Sequence, residues 1–102
     1  MQAYKNSHNN WELESNIELE NGYTLRVVTC KRYSGELSTT ATAVKQEDGF
    51  FTHRMYQDYS SRVSVSRPGR ITKGAVEKQH AEAMANIAEV VAQANEKQAL
   101  QD

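Results

Sequence analysis

Three histidines, one cysteine and a cluster of glutamates are the side chains of this chain best suited to proton transfer, nucleophilic attack or metal binding. Their spacing argues against most of that chemistry. Cys30 falls on the opposite strand face from the neighbouring apolar residues and away from His53, so a Cys–His dyad has no support. Glu12, Glu14 and Glu18 alternate along one outward strand face, where pairing with Arg26 across the sheet is a simpler role than general acid/base work. His8 sits in a polar leader. His53 and His80 both fall on inward positions and could meet in the core as a pH-sensitive contact or half a metal site. With no third ligand at useful spacing, the simpler reading is a pair of partly buried imidazoles bonded to backbone or water. The five glycines stand apart, which excludes a phosphate-binding loop, and there is no CxxC, HExxH or EF-hand pattern. No metal, cofactor or small-molecule substrate is expected, and the chain reads as non-enzymatic.

Charge is distributed unevenly. Residues 1–22 hold one Lys against four Glu, residues 23–73 nine Lys or Arg against four acids, and residues 74–102 two Lys against five acids. The basic middle is densest from Arg62 to Lys73, where Arg62, Arg67, Arg70 and Lys73 have no acidic neighbour. Such a run is either a solvated basic loop or a phosphate-contacting patch. A single cysteine rules out an internal disulfide and favours a reducing, cytoplasmic setting. No apolar run approaches the length of a membrane span or signal segment.

The elements that must position these residues are legible from periodicity. Met1 to Asn10 is polar and unpatterned and reads as a mobile arm, leaving residues 11–102 as one α+β domain. Strands are expected at 11–19, 23–32, 36–46, 50–57 and, as a short fifth, 62–66. In the first hairpin Trp11, Leu13, Ile17 and Leu19 point one way. A three-residue loop with Gly22 at positive φ keeps that face apolar by setting Leu19 against Tyr23 and Ile17 against Leu25. The same logic in the second hairpin, with Glu47-Asp48-Gly49 as loop, pairs Ala43 with His53, Ala41 with Met55 and Leu37 with Tyr59. Its outer face would then show Phe50, Arg54 and Tyr56 beside Arg26, Arg32, Val28, Cys30, Thr40, Thr42 and Val44.

One long helix is expected from Lys73 to about Lys97, capped by Thr72. At about 100° per residue, Val76, His80, Ala83, Met84, Ile87, Val90, Val91 and Ala94 share one face. Ala81, Ala85, Ala88 and Ala92 form a second stripe nearly opposite. A rod of about 37 Å would overhang strands of about 27 Å. The predicted architecture is an antiparallel meander with that helix laid on one face. In topology alone it resembles single-strand-binding transcriptional coactivators, which implies a sheet that holds nucleic acid.

Two functions compete. The first is a protein-interaction module, a homodimer joined through Ala81, Ala85, Ala88 and Ala92 that meets a partner on its outer sheet face. The alternative is nucleic-acid binding by Arg26, Arg32, Phe50, Arg54 and Tyr56, extended by Arg62, Arg67, Arg70 and Lys73, with aromatic stacking and salt-dependent phosphate contacts. No membrane partner is expected.

Overall fold

The computed structural model describes residues 2–31, 35–47, 50–61 and 71–101, with side chains described in these spans except at 21, 45–47, 50–61 and 98–101. Strands β1 (Tyr4–Lys5), β2 (Trp11–Glu18), β3 (Thr24–Lys31), β4 (Leu37–Glu47) and β5 (Phe50–Ser61) are followed by helices α1 (Lys73–Ala85) and α2 (Ile87–Gln101). β2 to β5 form an antiparallel meander in sequential order, and the two-residue β1 is added at the β2 edge. The expected fifth strand at 62–66 lies outside the described residues.

Alternation built the first hairpin as expected. Ile17 pairs with Leu25, and the Leu19 amide donates to the Tyr23 carbonyl at 2.8 Å. Between them a single 3-10 turn, Glu20–Gly22, reverses the chain, with Gly22 at φ 79°. Only glycine takes that conformation at little cost.

Residues 2–10, expected as a mobile arm, lie against the β2 edge of the sheet. The chain turns back at Asn6–Asn10, where the Asn6 side chain accepts from the His8 and Asn10 amides, and Tyr4 and Lys5 pair with Glu12 and Trp11. Ala3 is buried against Leu13, Leu37 and Val76. Short backbone pairing and one small apolar residue leave no periodic signature, which is why the polar sequence here gave no warning of order.

The second hairpin departs from the expected register by one residue next to its loop and by two beyond a bulge. Glu47 pairs with Phe50, Val44 with His53 and Ala43 with Arg54; a bulge then makes Ala41 oppose Gln57 and Leu37 oppose Ser61. One residue of slip changes which row of the sheet a residue joins. β4 runs Ser-Thr-Thr-Ala-Thr-Ala, small on both faces, so its hydrophobic pattern could not pin the loop length. β5 is also longer than expected, reaching Ser61.

Both helices cover one face. α1 lies over β2, β3 and β4, whereas α2 passes the β2–β3 turn and β5. All eight residues of the expected inner stripe face the sheet: Val76, His80, Ala83, Val90 and Ala94 are buried, and Met84, Ile87 and Val91 are half-buried. One cluster joins Leu19, Tyr23, Leu25, Val27, Ala41 and Ala43 to Val90 and Ala94; another joins Ala3, Leu13 and Leu37 to Val76. Each fully buried Leu or Val contributes about 1.5–3 kcal/mol.

The single long helix is corrected to two. Thr72 caps α1 by accepting from the Ala75 amide at 3.1 Å, as expected. At Asn86 the helix stops, because the Asn86 side-chain amide donates to the Glu82 carbonyl at 3.0 Å. That carbonyl is the normal partner of the Asn86 backbone N–H, which turns instead to Ala83 at 3.1 Å. Asn86 itself rests at φ −111°, ψ 15°, outside helical geometry. The expected overhang also finds a partner within the chain, since Asn95 Oδ1 accepts from the Glu20 amide at 2.8 Å and the neighbouring Ala94 is fully buried.

Candidate functional site

Three features gather the chain's polar and reactive groups: a hydroxyl–imidazole network under α1, the sheet face that no described helix covers, and the outward side of the two helices.

The network begins with one hydroxyl residue at an inward position of each of three strands, Ser15 on β2, Thr29 on β3 and Thr39 on β4. Pairing of Thr29 with Thr39 and of Ser15 with Val27 sets Ser15 and Thr29 diagonally on adjacent rows. His80 descends from α1 between them and is completely buried. Its Nε2 lies 2.8 Å from Ser15 Oγ and its Nδ1 2.8 Å from Thr29 Oγ1. Thr29 Oγ1 is in turn 2.7 Å from Thr39 Oγ1, which accepts from Gln79 Nε2 at 3.1 Å.

The direction of the protons follows from donor inventory. Gln79 must present its nitrogen, because the same atom also faces the Leu37 carbonyl oxygen at 3.4 Å, and two acceptors would repel. Thr39 therefore accepts from Gln79 and gives its own hydrogen to Thr29. Thr29 gives its hydrogen to Nδ1, and the remaining ring N–H, on Nε2, donates to Ser15. Every donor from Gln79 to the imidazole is then used, and the Ser15 hydrogen is the one that turns to a partner beyond these five residues. In the reverse order Thr39 would accept twice, and its own hydrogen would have none of these partners.

This polarity matters for chemistry. A Ser–His pair at 2.8 Å has the spacing of a nucleophile and its base. Here, however, the imidazole donates toward Ser15, and Nδ1 meets a hydroxyl where a base-orienting carboxylate would be needed. Burial pushes the His80 pKa below its ordinary value. The arrangement ties a helix to a sheet with a neutral imidazole. Sequence reasoning had singled out His80 but missed Ser15, Thr29, Thr39 and Gln79. The signal was present in the strands, where one hydroxyl residue interrupts each inward apolar row.

The uncovered sheet face has Glu12, Glu14, Arg26, Val28, Cys30, Thr40, Thr42 and Val44. Arg26 Nη2 donates to Glu14 Oε1 at 2.8 Å. This bond to the Arg26 guanidinium holds the Glu14 carboxyl below its usual range. Tyr4 donates to Glu12 at 2.5 Å, and that bond, with burial and the carboxylate charge, pushes the phenol up to about 12. Val28, Cys30, Thr40, Thr42 and Val44 are half-exposed in the middle of the face, and Ser38 beside Cys30 is buried.

Of the expected binding residues, the structure describes the side chains of Arg26 and Lys73. Arg26 is engaged by Glu14. Lys73 Nζ stands 4.0 Å from Glu77 and 5.9 Å from the centre of the Trp11 ring, with Lys5 Nζ 4.5 Å from the same ring. Phe50, Arg54 and Tyr56 are placed only by register. Arg54 joins the row of Ile17, Leu25 and Ala43, whereas Met55 joins that of Asn16, Arg26 and Thr42; the expected row of Arg54 with Arg26 does not form. Tyr56 is the extra residue at the bulge. Arg32, Arg62, Arg67 and Arg70 lie outside the described residues. The side chain of His53 does too, and its backbone pairs with Val44 rather than Ala43.

On the helices Ala81, Ala85, Ala88 and Ala92 are all exposed. The line passes from α1 to α2 across the break. Among the described residues no group of three His, Cys, Asp or Glu could hold a metal ion, and no helix is long and apolar enough to cross a membrane. Comparison with protein-family models, curated proteins and solved structures finds no match to the chain.

Proposed function

We propose that this protein is a small, non-catalytic interaction module that pairs with a second copy through the alanine line of its helices and meets a protein partner on the uncovered face of its sheet. The observation that carries the reading is the exposure of Ala81, Ala85, Ala88 and Ala92 along the side opposite the stripe that faces the sheet. Residues without bulk let a second helix approach closely, and a two-fold arrangement brings the same line from both copies together. Alanine burial alone is weak, at about 25 cal/mol per Å2. The half-exposed Val28, Thr40, Thr42 and Val44 supply the second surface. A cytoplasmic setting accords with the single, half-buried Cys30.

Mass in solution at high micromolar concentration tests the pairing. The wild type is expected as a dimer, and Ala85→Glu with Ala88→Glu as a folded monomer. A monomeric wild type, or a double variant that keeps the dimer mass, refutes it. Adding a random single-stranded oligonucleotide at two salt concentrations tests the alternative: retention at low salt that collapses at high salt would replace this reading with nucleic-acid binding.

A further inference from the structure

We propose that the Ser15–His80–Thr29 bridge is an acid-sensitive latch that holds helix α1 to the sheet and releases it when His80 gains a proton. The argument starts from the one-way hydrogen-bond chain. With His80 neutral, Nδ1 accepts from Thr29 and Nε2 donates to Ser15, both at 2.8 Å. An imidazolium must donate from both nitrogens. Thr29 would then accept from the ring and from Thr39 together, and its own hydrogen would lose the only acceptor this network offers it. If Thr39 reverses to accept from Thr29 as well as from Gln79 at 3.1 Å, its own hydrogen is the one left without a partner in this network. Protonation therefore strands a buried hydroxyl hydrogen as well as burying a charge.

Among the described residues no carboxylate is hydrogen-bonded or ion-paired to the ring. Among the described residues the ring is hydrogen-bonded to Ser15 from β2 and Thr29 from β3, with Thr39 from β4 and Gln79 from α1 next along the network. Glu14 and Arg26 are paired on the other face of the sheet. Residues 37–44 of β4 contain no titratable side chain. On α1, Lys78 and Glu82 are exposed, and Glu77 is engaged by the Ala3 amide at 2.9 Å and by Lys73. β5 sets Tyr59 at the register position opposite Thr39 and Asp58 opposite Thr40, their side chains outside the described residues. Burial works in the same direction by lowering the His80 pKa.

Release is confined to α1 by the architecture. α2 has its own anchors in Val90, Ala94 and the Asn95–Glu20 bond, and the break at Asn86 separates the two helices. The sign is fixed by linkage. A histidine whose folded pKa lies below its unfolded value of about 6.5 contributes full stability above that pH. The contribution is lost as pH falls from about 6.5 through the folded pKa, with the opening constant rising up to tenfold per pH unit.

Trp11 is the only tryptophan and packs against the cluster of Ala3, Leu13, Leu37 and Val76, the last from α1, so its emission reports docking of that helix. Emission and urea midpoint are followed from pH 7.5 to 5, at constant ionic strength and above the main carboxylate range. The wild type is expected to red-shift and lose midpoint below about 6.5. A variant with His8→Gln and His53→Gln should do the same, and His80→Gln should be flat. An unchanged wild type, loss of the transition when only His80 remains, or a His80→Gln protein with the wild-type transition would overturn the latch. Should His80→Gln fail to fold, proton NMR of the wild-type imidazoles decides. The buried ring must titrate below about 6.5 together with loss of α1 amide signals, and titration at or above that value refutes the proposal.

Discussion

Replacing Thr29 by valine keeps the shape of the side chain and removes one atom's chemistry. Thr29 Oγ1 sits at 0% exposure, 2.8 Å from His80 Nδ1 and 2.7 Å from Thr39 Oγ1. Its loss leaves two buried groups without partners, the lone pair on Nδ1 and the hydrogen of Thr39. Each such group costs about 1–3 kcal/mol when its partner is removed. A methyl in place of the hydroxyl recovers roughly 1 kcal/mol of apolar burial. The expected net loss is therefore about 1–5 kcal/mol, against the roughly 5–15 kcal/mol that holds a domain of this kind together. Urea unfolding followed by Trp11 emission and by helical ellipticity measures it. The double variant Thr29→Val with Thr39→Val also removes the stranded Thr39 hydrogen, and Gln79 keeps the Leu37 carbonyl. It should be no less stable than Thr29→Val alone, a coupling of at least about 1 kcal/mol. If Thr29→Val lies within about 0.5 kcal/mol of wild type, or if the two substitutions simply add, the chain of protons is wrong.

Two further outcomes follow from the same structure. Leu25→Ala empties a fully buried position between Val27, Ala43 and Val90, and should cost about 2–5 kcal/mol in the same melts; a loss under 1 kcal/mol would mean that the helix does not seal this part of the core. Gly22→Ala and Gly74→Ala should differ in sign, although an added Cβ meets nothing within 4 Å at either site. Gly22 sits at φ 79°, so alanine there is strained by about 1 kcal/mol or more. Gly74 lies in the first turn of α1, where alanine should add up to about 1 kcal/mol, and equal shifts in melting temperature would contradict the backbone argument.

Much of the architecture is written in local periodicity. Alternation in residues 11–31 and the glycine at 22 sufficed for the first hairpin, because only one register keeps Leu19, Tyr23, Ile17 and Leu25 on one side. The 3.6-residue repeat after Thr72 identified eight of the residues that α1 and α2 turn toward the sheet. Those are one-dimensional signals, and each is strong because burial separates the two faces of its element.

What the tertiary structure decided are the cases where local pattern is silent or symmetrical. β4 is small on both faces, so packing and a bulge, rather than hydrophobicity, set Ala43 against Arg54. The Asn86 break leaves the inner stripe intact on both sides, so periodicity could not reveal it; only the bond from its side chain to the Glu82 carbonyl does. Ser15, Thr29, Thr39 and Gln79 are unremarkable residues in four separate elements. They become one network only when three strand registers and one helix rotation coincide around His80. A hydrogen bond depends on distance and direction between groups far apart in sequence, and no one-dimensional pattern contains either.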